Sequence, residues 1–177
     1  MRICTILSNG FEELEAIGTI ALLKRSGIEI DIYALNGTYA NGKHQLTFSN
    51  LIELKDVNVE DYDGLLIPGG PHYAELENSE LVKEIIRKFM NEQKLVCGIC
   101  AAPTIFGHMG YLKNRNYTCF TSMNEDFGGT YLDQYVVTDG NVITARSAAA
   151  SIDFGFAIIN YLQGEKQEMK VKNEIYY

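Results

Sequence analysis

Cys100 is the residue in this chain best placed to do chemistry. Leu95-Val96-Cys97-Gly98-Ile99 reads as a buried strand, and Ala101-Ala102-Pro103-Thr104 opens a helix directly after it. A residue at such a junction is forced into a sharp turn and points away from the sheet, as the serine does in G-x-S-x-G elbows. Here the frame is Gly98-Ile99-Cys100-Ala101-Ala102, with alanine replacing the last glycine. The following helix aims free N–H groups and its positive end at the sulfur, which favours thiolate over thiol. A small buried cysteine without chemistry is the plainer reading of most cytosolic cysteines. What sets Cys100 apart is the elbow. Cys97 and Cys100 also match C-x-x-C, but in a redox pair the first cysteine opens a helix. Cys97 is mid-strand, and its odd offset sends it to the opposite face. With no second C-x-x-C and no close His pair, no metal site is expected, and no cofactor is called for. Cys4 and Cys119 read as core strand residues.

Two further motifs belong to the same edge of the fold. Pro68-Gly69-Gly70 follows an apolar strand, and paired glycines leave backbone N–H groups bare for close approach by a ligand. The same residues would also serve as a plain strand-ending turn. Glu12-Glu13-x-Glu15 opens the first helix, where acids ordinarily complement the helix dipole, and that accounts for Glu12 and Glu13. Glu15, three residues beyond Glu12, would meet Cys100 if turned inward. In a poorly solvated pocket its pKa would rise enough to hold a proton, which it could share with the sulfur.

These residues need elements to position them. The apolar period switches repeatedly between strand-like and helix-like, the signature of a mainly parallel sheet covered by helices in an α/β sandwich. Residues 2–8, 28–35, 64–67 and 95–99 are the expected central strands. The first helix is expected over residues 12–25, packing Leu14, Ile17, Ala21 and Lys24 against the sheet and stopping at Gly27. A second starts at Asn78 or Ser79 and buries Leu81, Ile85, Ile86 and Phe89 before ending near Gln93. Asn36-Gly37 and Asn41-Gly42 mark tight turns around a small hairpin, and Asp139-Gly140 joins strands at 135–137 and 142–145. The last long helix, 148–162, should bury Ile152, Phe156, Ile159 and Leu162, leaving 165–174 as a surface segment from which Ile175, Tyr176 and Tyr177 could dock. Ligands of an open parallel sheet bind at the carboxyl ends of its strands. There the loop 8–11, Pro68-Gly69-Gly70 and Cys100 all emerge.

Composition sets the outer bounds. The 177 residues suit a single domain spanning the chain, and 46% hydrophobic with 21% charged residues is ordinary for a folded soluble protein. A net charge of −8 with no basic run argues against nucleic acid as a partner. Charges at Arg2, Glu12 and Glu13 leave no apolar segment for a signal peptide or membrane span, so a cytoplasmic location with four reduced cysteines is expected.

Taken together, the segments Asn9-Gly10-Phe11-Glu12-Glu13-Leu14-Glu15, Asp63-Gly64-Leu65-Leu66-Ile67-Pro68-Gly69-Gly70, Gly98-Ile99-Cys100-Ala101-Ala102-Pro103-Thr104 and Thr144-Ala145-Arg146-Ser147 resemble the ThiJ/PfpI superfamily. Within it they are most similar to the branch of the parkinsonism-associated protein deglycase. The resemblance implies a flavodoxin-like three-layer sandwich with a nucleophile elbow, and usually a homodimer. It implies Cys100 as an oxidisable nucleophile, Glu15 as its protonated partner, and the amides of Gly70 and Ala101 as an oxyanion pocket beside Gly69. The activities it implies are glyoxalase and deglycase action on methylglyoxal and its adducts, with oxidative-stress sensing and chaperone roles beside them.

The chain departs from that pattern twice. Protease-like members carry His directly after the nucleophile, where this chain has Ala101, which disfavours a Cys-His peptidase. The deglycase branch carries a His shortly after the elbow helix, where this chain has Phe120. His108 lies eight residues past Cys100, about 12 Å along a helix. His72 reads as a solvated loop residue, His44 as an exposed hairpin residue, and Arg146 as ordering its own loop or an interface. Two functions follow: a cysteine hydrolyase or deglycase acting on small 2-oxoaldehydes, or an oxidation sensor whose cysteine turns nothing over.

Overall fold

The computed structural model describes residues 1–177. The first half of the chain forms β1 (Arg2–Leu7), a π-helical turn (Leu14–Gly18), α1 (Thr19–Arg25), β2 (Glu29–Ala34), β3 (Tyr39–Asn41), β4 (Thr47–Ser49), β5 (Ile52–Glu53) and β6 (Gly64–Ile67). Next come α2 (Tyr73–Asn78), α3 (Glu80–Asn91), β7 (Leu95–Ile99), α4 (Ala102–His108), β8 (Asn116–Tyr117) and β9 (Thr130–Tyr131). The chain closes with β10 (Val136–Asp139), β11 (Val142–Ala145), α5 (Ser151–Gln163) and α6 (Glu165–Glu174).

Seven strands make the central sheet in the order β10-β11-β7-β6-β1-β2-β5, with only β10 antiparallel to its neighbour. The chain runs outward from β1 to β2 and then returns past β1 to β6, β7 and β11. This is a flavodoxin-like arrangement, and the reversal opens a crevice at the carboxyl ends of β1 and β6.

Alternation along the strands divides the core. Ile3, Leu7, Leu66, Cys97 and Ile99 face Leu23 of α1 and Phe154 and Ile158 of α5. Cys4, Ile6, Leu65, Ile67 and Val96 face Ile86 and Phe89 of α3 and Ile105 of α4. Both faces of the sheet are therefore covered, and its central strands are apolar throughout. On α3, Ser79 caps the helix by accepting from the Val82 N–H, and Val82, Ile85, Ile86 and Phe89 are buried. Each such side chain contributes about 1.5–3 kcal/mol, so an aspartate at Ile86 would break this layer.

The first helix differs from expectation. Leu14 is 55% and Ile17 39% exposed, and Ala21 and Lys24 are also on the outer face. Glu15, Ala16, Ile20, Leu22 and Leu23 face inward instead. Successive helical residues point about 100° apart, so a turn that presents Glu15 to the interior cannot also present Leu14 and Ile17. The wide π-turn, a form frequent at functional sites, sets that register.

Four other expectations are corrected. Ile152 is 42% exposed, since α5 packs through Phe154, Ile158 and Ile159. The segment after Gly164 is the helix α6, docked by buried Val171, by Ile175, and by Tyr177, whose ring meets Phe156 and whose hydroxyl donates to Asp153. Its pattern is polar almost all round, which hid it. Cys119 is buried but lies in the loop after β8. At the small hairpin, Gln45 rather than Gly42 takes positive φ.

Candidate active site

Cys100 sits at the elbow with φ +64°. A non-glycine residue held there costs about 1–3 kcal/mol, so the surroundings must fix it. They do so on both sides: the Cys100 N–H donates to the Ala145 carbonyl at 2.8 Å, and the Phe120 N–H donates to the Cys100 carbonyl at 2.8 Å. Gly98 makes room for the turn, because a Cβ there would lie 2.5 Å from the Phe106 ring.

Glu15 comes to the sulfur from the π-turn and is 1% exposed. Its N–H donates to Glu12 Oε2 at 2.8 Å, its own Oε2 accepts from the Gly69 N–H at 2.8 Å, and its carboxyl stands beside Cys100, the two flanking Gly69. Its buried Oε1 has no hydrogen-bond partner. Burial pushes the carboxyl up to about 7, against the pull of the bonds from Cys100 and Gly69.

The expectation of a thiolate favoured by the helix is reversed. Burial and the adjacent Glu15 push the Cys100 thiol up, and they outweigh the amides of Ala101 and Gly70, which pull it down. Two buried acids in contact titrate as a pair. The thiolate therefore forms most readily when its proton passes to Glu15.

The glycines divide their work. Gly69 is expected to bind substrate, but its N–H is taken by Glu15 and its carbonyl by the Glu12 N–H. A Cβ on it would lie 2.6 Å from both Cys100 Cβ and Glu15 Oε2. Gly69 thus supports Glu15, and the amides left for the sulfur are those of Gly70 and Ala101. Gly70, at φ +101°, lies so close to the β1 loop that a Cβ would be 2.5 Å from the Gly10 carbonyl oxygen.

A cavity of about 540 Å³ opens over this group, lined by Cys100, Ala101, Glu12, Glu15 and Gly70. Its other walls come from residues that sequence reasoning missed: Lys43 from the β3–β4 hairpin, Tyr73 from α2, and Met123, which stands beside Phe120. The hairpin folds onto the β1 loop through the Gly10 N–H to the Asn41 carbonyl at 2.7 Å and the Lys43 N–H to the Phe11 carbonyl at 2.8 Å. No local signal in the sequence announces that docking.

The histidines lie apart from the sulfur chemistry. His72 is buried rather than solvated: its Nδ1 accepts from the Ser8 N–H at 3.1 Å and its Nε2 donates to the Pro68 carbonyl at 2.8 Å. Burial lowers its pKa to about 4, so it is a neutral brace between two loops of the site. His108 pairs with Glu77 and Glu125 at the surface, and His44 is exposed. Arg146 binds Asp133 at 2.7 Å and covers the Tyr135 ring, ordering its own loop.

A family model described as the DJ-1/PfpI family matches residues 1–161. Deglycase PfpI of Pyrococcus furiosus is 32% identical over 149 residues, which are 82% of this chain and 90% of that one. Protein dj-1beta of Drosophila melanogaster is 30% identical over 171 residues, 94% of this chain and 91% of the relative. The crystal structure of Drosophila melanogaster DJ-1beta superposes with a TM-score of 0.91 at 28% identity, covering 99% of this chain and 97% of that one. With fold, matched segments and relatives in agreement, this chain belongs to the DJ-1/PfpI family.

Proposed function

We propose that the protein converts small 2-oxoaldehydes, or their adducts on proteins, to hydroxy acids through Cys100 and Glu15. The observation that carries this reading is a buried carboxyl beside an elbow thiol, both lining one cavity. Relatives named deglycase support the substrate class.

The chemistry needs no external electron carrier. The Cys100 sulfur bonds to the aldehyde carbon as the thiol proton passes to Glu15, and the amides of Gly70 and Ala101 receive the new alkoxide. Glu15 returns that proton to the alkoxide oxygen and, ionised again, carries the proton of that carbon to the neighbouring one; with the oxygen proton passing to the adjacent oxygen, a thioester of the hydroxy acid is left. Water cleaves the sulfur–carbon bond, releasing the acid and restoring the thiol. The sum is addition of one water.

The test is methylglyoxal loss together with lactate formation, at protein far below substrate, for the native chain and Cys100→Ser. Lactate well in excess of protein, abolished by the substitution, is the expected result. Consumption that stops near one equivalent, or that survives the substitution, would sink the enzymatic reading.

Phe120 supports a second reading, because it stands where the resembled branch has its His. Cys100 would then be oxidised by peroxide to a sulfinate held by Glu15 and the two amides. A mass increase of two oxygens, lost in Cys100→Ser and unaccompanied by lactate turnover, distinguishes it.

A second copy of the chain is the proposed partner. Leu14, Ile17 and Ile152 form an exposed apolar face where the π-turn meets the start of α5. Sedimentation should give a dimer, and Ile17→Lys a monomer. No helix is long and apolar enough to cross a membrane.

A further inference from the structure

Folding accounts for only one of the two carboxylate oxygens of Glu13. It is 6% exposed, and its Oε1 accepts from the His44 N–H at 2.6 Å and from the Leu46 N–H at 3.4 Å. Its Oε2 is buried with no hydrogen-bond partner. None of the ion pairs in the molecule involves Glu13 or Glu12. A buried carboxylate is ordinarily paired or bound to a metal. Two more potential ligands stand beside it, the Glu12 carboxylate and the His44 imidazole. Donor atoms of all three residues lie within 4.8 Å of one another.

The hairpin is built to bring them together. Gly42 bridges to Phe11, and a Cβ on Gly42 would lie 2.2 Å from Glu13 Oε1, so only glycine lets the hairpin approach this far. The donors are separated by about thirty residues of chain, which is why ligand spacing in the sequence implies no metal.

We propose that Glu12, Glu13 and His44 form a binding site for a divalent metal ion of the zinc class at the rim of the Cys100 cavity. Two carboxylates with one imidazole suit zinc and its first-row neighbours, whereas calcium and magnesium are held mainly by oxygens. Metal–ligand bonds of about 2.0–2.2 Å put tetrahedral ligand atoms roughly 3.4 Å apart. Glu13 is already fixed and buried, so closure falls to the exposed His44 and half-buried Glu12. Water would fill the fourth position. Because Glu12 also lines the cavity and caps the Glu15 N–H, the ion would stand beside the cysteine site without being bound by its sulfur.

The test is calorimetric titration of chelator-treated full-length protein with zinc chloride, repeated with His44→Ala, Glu13→Gln and Cys100→Ser. One equivalent per chain is expected in the native protein and in Cys100→Ser. Affinity should fall at least about tenfold in His44→Ala and Glu13→Gln. Cobalt in place of zinc should give visible bands without a sulfur charge-transfer band. Should Glu13→Gln fail to fold, the exposed His44→Ala decides alone. No uptake at micromolar zinc, binding indifferent to His44→Ala, or binding lost with Cys100 would each overturn the proposal.

Discussion

Two polar clusters, each at least partly buried, flank β1, and only one of them opens onto a cavity. Near its start, the Tyr33 and Tyr62 hydroxyls hydrogen-bond at 2.7 Å, Tyr62 donates to Asp31 at 2.8 Å, and Arg2 pairs with Asp31. Every hydroxyl and carboxylate there has a partner, the Arg2 Nε alone lacks one, and no pocket touches these residues. At the other end, Glu15 keeps one oxygen without a hydrogen-bond partner, Cys100 holds a strained turn, and the cavity reaches both. Buried polarity alone does not make a site. A satisfied network holds structure, while an incompletely satisfied group beside open space is available to react.

The contrast is broken most severely at Gly69. Gly69→Ala drives a methyl group into Cys100 and Glu15, both 2.6 Å from the new atom. Lactate turnover should fall at least about a thousandfold, approaching the effect of removing the nucleophile. Next is His72→Ala, which strips the Ser8 N–H and Pro68 carbonyl of their buried partner. Its expected cost is about 3 kcal/mol in urea unfolding. A loss below about 0.5 kcal/mol would show that the brace is dispensable.

Much of this contrast can be read from the sequence where the cause is local. Strand β7 and the helix after it adjoin, so the Cys100 elbow is legible, as are a cap at Asn78 or Ser79, of which the structure uses Ser79, and Gly164 as a stop. The first helix was ambiguous because it carries two apolar sets. Leu14 and Ile17 compete with Ala16, Ile20 and Leu23, and the choice is made by what Glu15 must reach. His72 was misjudged because Ser8, which buries it, is 64 residues away. Lys43 and His44 were missed as neighbours of the site for the same reason: hairpin docking is a tertiary event.

Acidity offers a finer test of the carboxyl-end cluster. With its carboxyl raised to about 7, folded Glu15 keeps a proton that the unfolded chain has already released at lower pH. The native state therefore binds more protons through that window, and stability falls as pH rises through it. Glu15→Gln cannot ionise and can still accept from Gly69. Between pH 5 and 8 the native chain should lose about 2.5 kcal/mol relative to the variant. Parallel denaturation curves at the two pH values measure this, and an unchanged difference would mean that Glu15 is ionised throughout. Turnover in the variant should drop about a hundredfold, since the proton carrier is gone.

The smallest effect belongs to the satisfied cluster. Tyr62→Phe removes one hydroxyl, leaving Tyr33 without its partner and Asp31 with Arg2 alone. The ring stays packed under Arg2, so only the hydrogen bonds are lost, at about 1–3 kcal/mol. Because no cavity residue touches this network, lactate turnover should stay within about twofold of native. A tenfold loss of activity with intact folding would mean that the two ends of β1 are energetically coupled. The satisfied network would then be part of the site's support rather than its counterexample.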